Sequence, residues 1–153
     1  MVDETKSGQE PLPKITLGKT GLQVSRLGLG GYHQVEISSE IVEQVVTAYL
    51  EVGGNYIETS RLYGAGASEE KIGRALNGRR DKVILASKSL ARDATGMRMD
   101  LEASLSALQT DHIEFYFFHC VDTINELDTI TGPDGALSAQ PRSVYQQHPA
   151  EPR

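Results

Sequence analysis

The sequence predicts an α/β protein: the first half of a (β/α)8 TIM-type barrel, with four parallel strands, crossover helices and an N-terminal β-hairpin. Three observations carry this reading. Strand-like and helix-like apolar periods alternate along the chain, which implies a parallel sheet with right-handed crossovers. The G-x-G-x-x-G fingerprint of a doubly wound dinucleotide fold fails at Gly28-Leu29-Gly30-Gly31-Tyr32-His33, where no third glycine is in place. An acid, a phenol, an amine and an imidazole stand at successive strand ends, where parallel barrels carry their chemistry.

Residues 1–13 are polar, include Pro11 and Pro13, and read as a flexible tail. The hairpin follows, with Lys14 to Leu17 and Leu22 to Val24 flanking a turn bounded by Gly18 and Gly21. The run Val24 to Leu29 continues as a strand to Gly30-Gly31. From Ser39 the spacing of Ile41, Val45, Ala48 and Val52 predicts a helix, closed by Gly53. Asn55 to Thr59 is a short strand, and Ser68 opens a second helix through Ile72, Ala75 and Leu76 that stops at Asn77-Gly78. Val83 to Ser87 is an unbroken apolar run, as in a strand covered on both faces. Leu101, Leu105 and Leu108 mark a third helix, and Ile113 to Phe118 a fourth buried strand. Residues 14–135 thus hold four strands and three crossover helices, where a closed barrel has eight of each. Residues 136–153 carry three prolines and no apolar period, and are expected to be disordered. The abrupt change near residues 136–138 reads as a frame change or a gene-model error.

The chain has 153 residues with a formal net charge of -6, and its Lys and Arg are scattered. That balance excludes a nucleic-acid surface, which needs clustered cations. A single cysteine, Cys120, excludes an internal disulfide and a cysteine-built metal cluster. The four His residues are not closely paired, so no metal site is expected. With no apolar run of membrane-spanning length and no signal-like N-terminus, a cytoplasmic protein is expected.

The groups at the strand ends are Glu58 followed by Tyr63, then Lys88, then His119. Each has a plain reading alone: Tyr63 as a packing residue, Lys88 as a solvated strand end, His119 as a structural hydrogen-bonder, and Glu58 as a partner of Arg61. Their surroundings favour the joint reading. Asn55-Tyr56-Ile57-Glu58-Thr59-Ser60-Arg61-Leu62-Tyr63-Gly64 resembles the N-F-I-D-T-A-x-x-Y-G segment of the aldo-keto reductase family. Leu85-Ala86-Ser87-Lys88 resembles its strand ending in the catalytic lysine, and Leu101 to Tyr116 is similar to L-x-x-S-L-x-x-L-x-T-D-Y-I-D-L-Y, leading into His119. Gly18 to Gly30 is similar to the family's opening L-G-x-T-G-L-x-V-S-x-L-G-L-G. Together these cover roughly residues 14–135.

The resemblance implies hydride transfer from NADPH, or NADH, to the carbonyl of a small aldehyde or ketone. Tyr63 would donate the proton, Lys88 would lower its pKa from ~10, Glu58 would hold Lys88, and His119 would orient the carbonyl oxygen. Gly30, Gly31 and Tyr32 resemble positions that line the nicotinamide end. One departure is visible: Glu58 stands where the family usually has Asp. The phosphate-binding loops of such barrels follow the seventh and eighth strands, which lie outside this stretch. Two functional classes therefore stay open. One is an oxidoreductase, active in an intact parent or when completed by another chain but inactive as this chain alone; the other is a non-catalytic half-barrel fragment or protein-binding module. In either case the open sheet edge invites self-association.

Overall fold

The computed structural model describes residues 10–139. The expectations for residues 1–9 and 140–153 lie outside the described residues. Strand β1 (Lys14–Thr16) pairs antiparallel with β2 (Gln23–Ser25), with Ile15 opposite Val24. The linking turn places Gly18 at φ 51° and Gly21 at φ 76°, a region where glycine carries no Cβ penalty. Four parallel strands follow in sheet order β3 (Leu29–Gly30), β4 (Tyr56–Glu58), β5 (Ile84–Ser89) and β6 (Phe115–Phe118). Each strand pairs with its sequence neighbours, with no switch of direction in the order. A doubly wound sheet starts from its middle and grows both ways; this one grows one way, as a barrel does.

Helices α1 (Ser39–Glu51), α2 (Ala67–Ala75) and α3 (Ala94–Leu108) connect the strands. They cover one face of the sheet in a single core that includes Val42, Val46, Ile57, Ile72, Leu85, Leu101, Leu108 and Ile113. Alternation along a strand sends neighbouring residues to opposite faces. Ile57 and Leu85 therefore point to the helices, while Glu58 and Lys88 belong to the other, inner face. Phe115 and Phe117 stack at 6.1 Å between ring centroids on β6, and Phe117 is 43% exposed.

Three sequence expectations about the elements need correction. The run Val24 to Leu29 is not one strand. Its start stays in the hairpin, Ser25 Oγ donates to Leu27 O at 2.9 Å, and only Leu29–Gly30 joins the parallel sheet. The buried face of α1 is Val42, Val46 and Tyr49, one residue on from the expected stripe, and Ile41 is exposed. Tyr49 decides this: its hydroxyl donates to Leu27 O at 2.7 Å and accepts from Tyr56 N–H at 3.1 Å, tying the helix to β4 and to the segment between β2 and β3. A fourth helix is present, α4 (Ile124–Thr131), opened by a capping box in which Thr123 and Glu126 satisfy each other's backbone N–H groups. It lies ahead of Gly132, within residues 14–135, where the sequence reading counted three helices.

The outer boundaries of the fold also move. Leu12 packs on the core and its N–H donates to Val52 O at 2.7 Å, so the ordered part begins before residue 14. Residues Ala136–Ser138 form a 3-10 turn, and Ala136 and Ala139 are buried against Ala94 and Met97 of α3. Burial of two small apolar side chains holds this stretch, so the expected disorder does not start at 136.

Candidate active site

The hairpin and the chemistry occupy opposite ends of the sheet. Asn55, at the amino end of β4, accepts from Ser25 N–H at 2.7 Å and donates to Gln23 O at 2.8 Å, which anchors the hairpin there. At the carboxyl end, Glu58 closes β4, Lys88 is the penultimate residue of β5, and His119 follows β6. Parallel register puts these ends side by side on the inner face.

Lys88 is the hub. Its Nζ contacts Glu58 Oε1, donates to Thr59 O at 3.0 Å, and donates to the Tyr63 hydroxyl at 3.2 Å. Two of the ammonium's three donors go to Thr59 O and the Tyr63 hydroxyl, and its charge faces Glu58. The Tyr63 oxygen therefore accepts from Lys88 and keeps its own hydrogen for another group. His119 stands edge-on to Tyr63 with ring centroids 5.7 Å apart, and Tyr32 also stands edge-on to it, at 5.2 Å. The sequence-predicted Glu58, Tyr63, Lys88, His119 and Tyr32 thus meet at one place.

The loop that delivers Tyr63 is unusual in its backbone. Gly64, Ala65 and Gly66 all have positive φ, at 62°, 52° and 98°, and for Ala65 this costs on the order of 1 kcal/mol. An ion pair holds the loop in that path. Arg61 Nη1 meets Glu69 Oε2 at 2.9 Å, while the fully buried Glu69 also accepts from Ser87 Oγ at 2.7 Å. Arg61 thus pairs with Glu69, and Glu58 is left to Lys88.

Gly30 and Gly31 differ from each other. A Cβ on Gly31 would sit 2.8 Å from Thr59 Oγ1 and 2.9 Å from Ser68 Oγ, so its bare backbone is needed for packing. A Cβ on Gly30 would meet nothing within 4 Å. Gly30 thus leaves open space beside the inner face, whereas Gly31 lets the loop close down on β4 and sets Tyr32 against Tyr63.

Protonation follows from burial more than from charge. Burial raises the Tyr63 phenol above its ordinary value, with Cys120 and Tyr32 nearby adding in the same direction. The hydrogen bond through which Lys88 was expected to lower this pKa is in place, while burial acts in the opposite direction. Burial also lowers the Lys88 ammonium, and it lowers His119, helped there by the Lys88 and Arg92 charges. The arrangement at neutral pH is a phenol that holds its proton, beside a neutral imidazole. Such a pair can donate to an oxygen that is gaining charge.

Ser60 and Arg92 were not singled out from sequence. Ser60 Oγ lies 2.9 Å from His119 Nδ1. Arg92 donates to the carbonyl oxygens of His119 and Cys120, both at 2.8 Å, and pairs with Glu126 of the α4 capping box. The capping box carries a sequence signature, Thr-x-x-Glu, that the sequence reading did not use; a serine after a strand and an arginine in a loop have no such signature.

Residues 26–137 match the aldo/keto reductase family model. The chain belongs to the aldo/keto reductase family. An uncharacterised oxidoreductase of Bacillus subtilis, YrpG, is 37% identical over 136 residues, covering 74% of this chain and 42% of the relative. Among solved structures, an aldo-keto reductase of Bacillus halodurans in its holo form superposes with a TM-score of 0.65 at 32% identity, covering 69% of this chain and 39% of that one. An aldo-keto reductase of Klebsiella pneumoniae in complex with NADPH gives a TM-score of 0.64 at 28% identity, covering 72% and 41%. This aldo/keto reductase chain spans about two-fifths of the length of the curated relatives it matches.

Proposed function

We propose that this chain supplies the proton-donating half of a nicotinamide-dependent carbonyl reductase. The observation that carries the reading is the Lys88 hub, which joins Glu58 to the Tyr63 hydroxyl and leaves the Tyr63 proton free to be given away. NADPH is the expected cofactor, with NADH second, and it would supply the hydride. The residues at hand fit its flat ring: Gly30 leaves space beside the inner face, and Tyr32 offers an exposed aromatic edge next to Tyr63. Gly31 contributes through its backbone.

Each protein group then has a defined task. Tyr63 delivers its proton to the oxygen of a small aldehyde or ketone as that oxygen takes on charge. Lys88 replaces part of the lost hydration of the resulting phenolate, and Glu58 keeps Lys88 charged and directed. His119 donates to the same oxygen and orients the carbonyl. The substrates are small molecules rather than nucleic acid or membrane lipid, in keeping with the net charge of -6. Among the described residues no helix is long and apolar enough to cross a membrane; the cytoplasm is the proposed location.

The test is a chimera in which residues 26–137 replace the matching segment of the Klebsiella enzyme. Tyr63→Phe in that background should lower NADPH-dependent carbonyl reduction by about 10²–10⁴-fold, with NADPH affinity changed by no more than about twofold. Retained turnover would assign the proton to another group and end this reading. A second reading, a non-catalytic half-barrel that binds protein, rests on the exposed Phe117 of β6. Chimeric turnover that depends on Tyr63 would remove it as a description of the site.

A further inference from the structure

Ser60 is fully buried at the carboxyl end of β4, and its hydroxyl has three neighbours. Leu62 N–H donates to Oγ at 3.2 Å, His119 Nδ1 lies at 2.9 Å, and Lys88 O at 3.4 Å. A hydroxyl has one hydrogen and two lone pairs, so two arrangements are open. In one, Nδ1–H donates to Ser60, which must send its own hydrogen across the long gap to Lys88 O. In the other, Ser60 donates to an unprotonated Nδ1.

Distance and satisfaction both favour the second. Good O–H donors lie within about 3.0 Å of their acceptors, and only the His119 contact meets that. Lys88 O has no need of Ser60, because Arg61 N–H already donates to it at 3.1 Å. The backbone around the ring is also fixed. His119 N–H donates to Ser89 O at 2.8 Å, and His119 O accepts from Arg92 at 2.8 Å. The main chain that carries the imidazole is thus held in place at both its N–H and its carbonyl. Among the described residues it is only the Nδ1 edge that is bonded, which leaves Nε2 on the open side.

We propose that Ser60 fixes the tautomer of His119, so that Nε2 carries the ring proton and faces the inner side of the sheet as a donor. Ser60 is then a positioning residue acting through His119. The tautomer matters because a neutral imidazole offers one donor and one acceptor, and the wrong choice would present a lone pair to a carbonyl oxygen. The use of that donor rests on the reductase reading above; the tautomer does not.

The test is magic-angle-spinning NMR of the sedimented, ¹⁵N-histidine-labelled chain, at a pH well above the titration of His119. His119 is assigned by the resonances lost in His119→Gln. The wild type should show a protonated Nε2 and a bare, pyridine-type Nδ1. Ser60→Ala should shift His119 to a mixture of tautomers or to Nδ1–H, and Ser60→Thr should restore the wild-type pattern. Ser60→Cys, which keeps the volume but donates weakly, should behave as Ser60→Ala and serves if the alanine variant does not fold. A protonated Nδ1 in the wild type, or an unchanged Nε2–H in both hydroxyl-free variants, would overturn the proposal. Neither cofactor nor turnover enters the measurement, so a failure of the reductase reading in the Tyr63→Phe chimera would be seen separately.

Discussion

Lys88 and Glu58 form an ion pair whose two members are not equally replaceable. Lys88 Nζ has acceptors in Glu58, Thr59 O and the Tyr63 hydroxyl, whereas Glu58 Oε1 is shut off from water and has Lys88 as its contact. Removing the amine strands a buried carboxylate oxygen; neutralising the acid leaves the ammonium with all its acceptors. Lys88→Met should therefore cost about 2 kcal/mol or more, and Glu58→Gln about 1 kcal/mol, as read by urea unfolding. Equal losses would show that Glu58 is held by something other than Lys88. His119 gives a pH prediction. Burial and the Lys88 and Arg92 charges lower its folded pKa below the unfolded value of ~6.5. The unfolded state therefore takes up a proton first, and stability falls as pH drops from about 6.5 through the lowered folded value. His119→Gln should flatten that part of the stability curve, measured by urea midpoints across the acid range. An unchanged slope would place the acid sensitivity elsewhere. At this scale the sequence was informative where a motif spanned several residues, as for Glu58, Tyr63, Lys88 and His119. It was silent on Ser60 and Arg92, whose roles depend on chain segments 59 and 27 positions away.

Between elements, the decisive contacts are backbone approaches that leave faint marks in sequence. Gly73 of α2 lies against the end of α3, and a Cβ there would stand 2.6 Å from the Leu108 carbonyl carbon and 2.7 Å from Ala107 O. In an isolated helix, alanine in place of glycine gains about 0.8–1.0 kcal/mol. Here the added methyl would have to move backbone, at a cost of about 1–3 kcal/mol. Gly73→Ala is expected to be neutral to destabilising, against the helix-propensity trend, by thermal or urea unfolding; a clear gain in stability would mean that α2 and α3 part easily. The same distinction between local and tertiary causes explains the stripe on α1. Ile41, Val45, Ala48 and Val52 fit a helical period as well as Val42, Val46 and Tyr49 do, and nothing local decides between them. The Tyr49 hydroxyl does, by bonding to Leu27 O and to the backbone of Tyr56. The order of strands and helices, by contrast, was legible because each apolar run carries its own period.

In the molecule as a whole, the uncovered edges and face decide behaviour. Among the described residues β3 and β6 each have a strand on one side only, and the inner face holds the 43% exposed Phe117. Parallel sheets are stable when both faces are covered, and an uncovered edge is a template for pairing. We expect a polypeptide of these 153 residues to self-associate through that edge and inner face rather than persist as a tight monomer. The same geometry bears on cofactor binding. In barrels of this class the phosphate site is built from loops after the seventh and eighth strands, whereas the described parallel strands number four. The proposed proton donation by the Tyr63–Lys88–His119 group is of use only beside a nicotinamide held over the carbonyl, and such positioning supplies much of an enzyme's rate. The purified chain should therefore show no appreciable NADPH-dependent reduction, with Kd for NADPH weaker than roughly 1 mM, where binding free energy has fallen to about 4 kcal/mol. Analytical ultracentrifugation and fluorescence titration of the untagged chain measure both. A folded monomer that binds NADPH at micromolar concentration, with turnover abolished by Tyr63→Phe, would overturn both expectations and make the half-barrel an enzyme by itself.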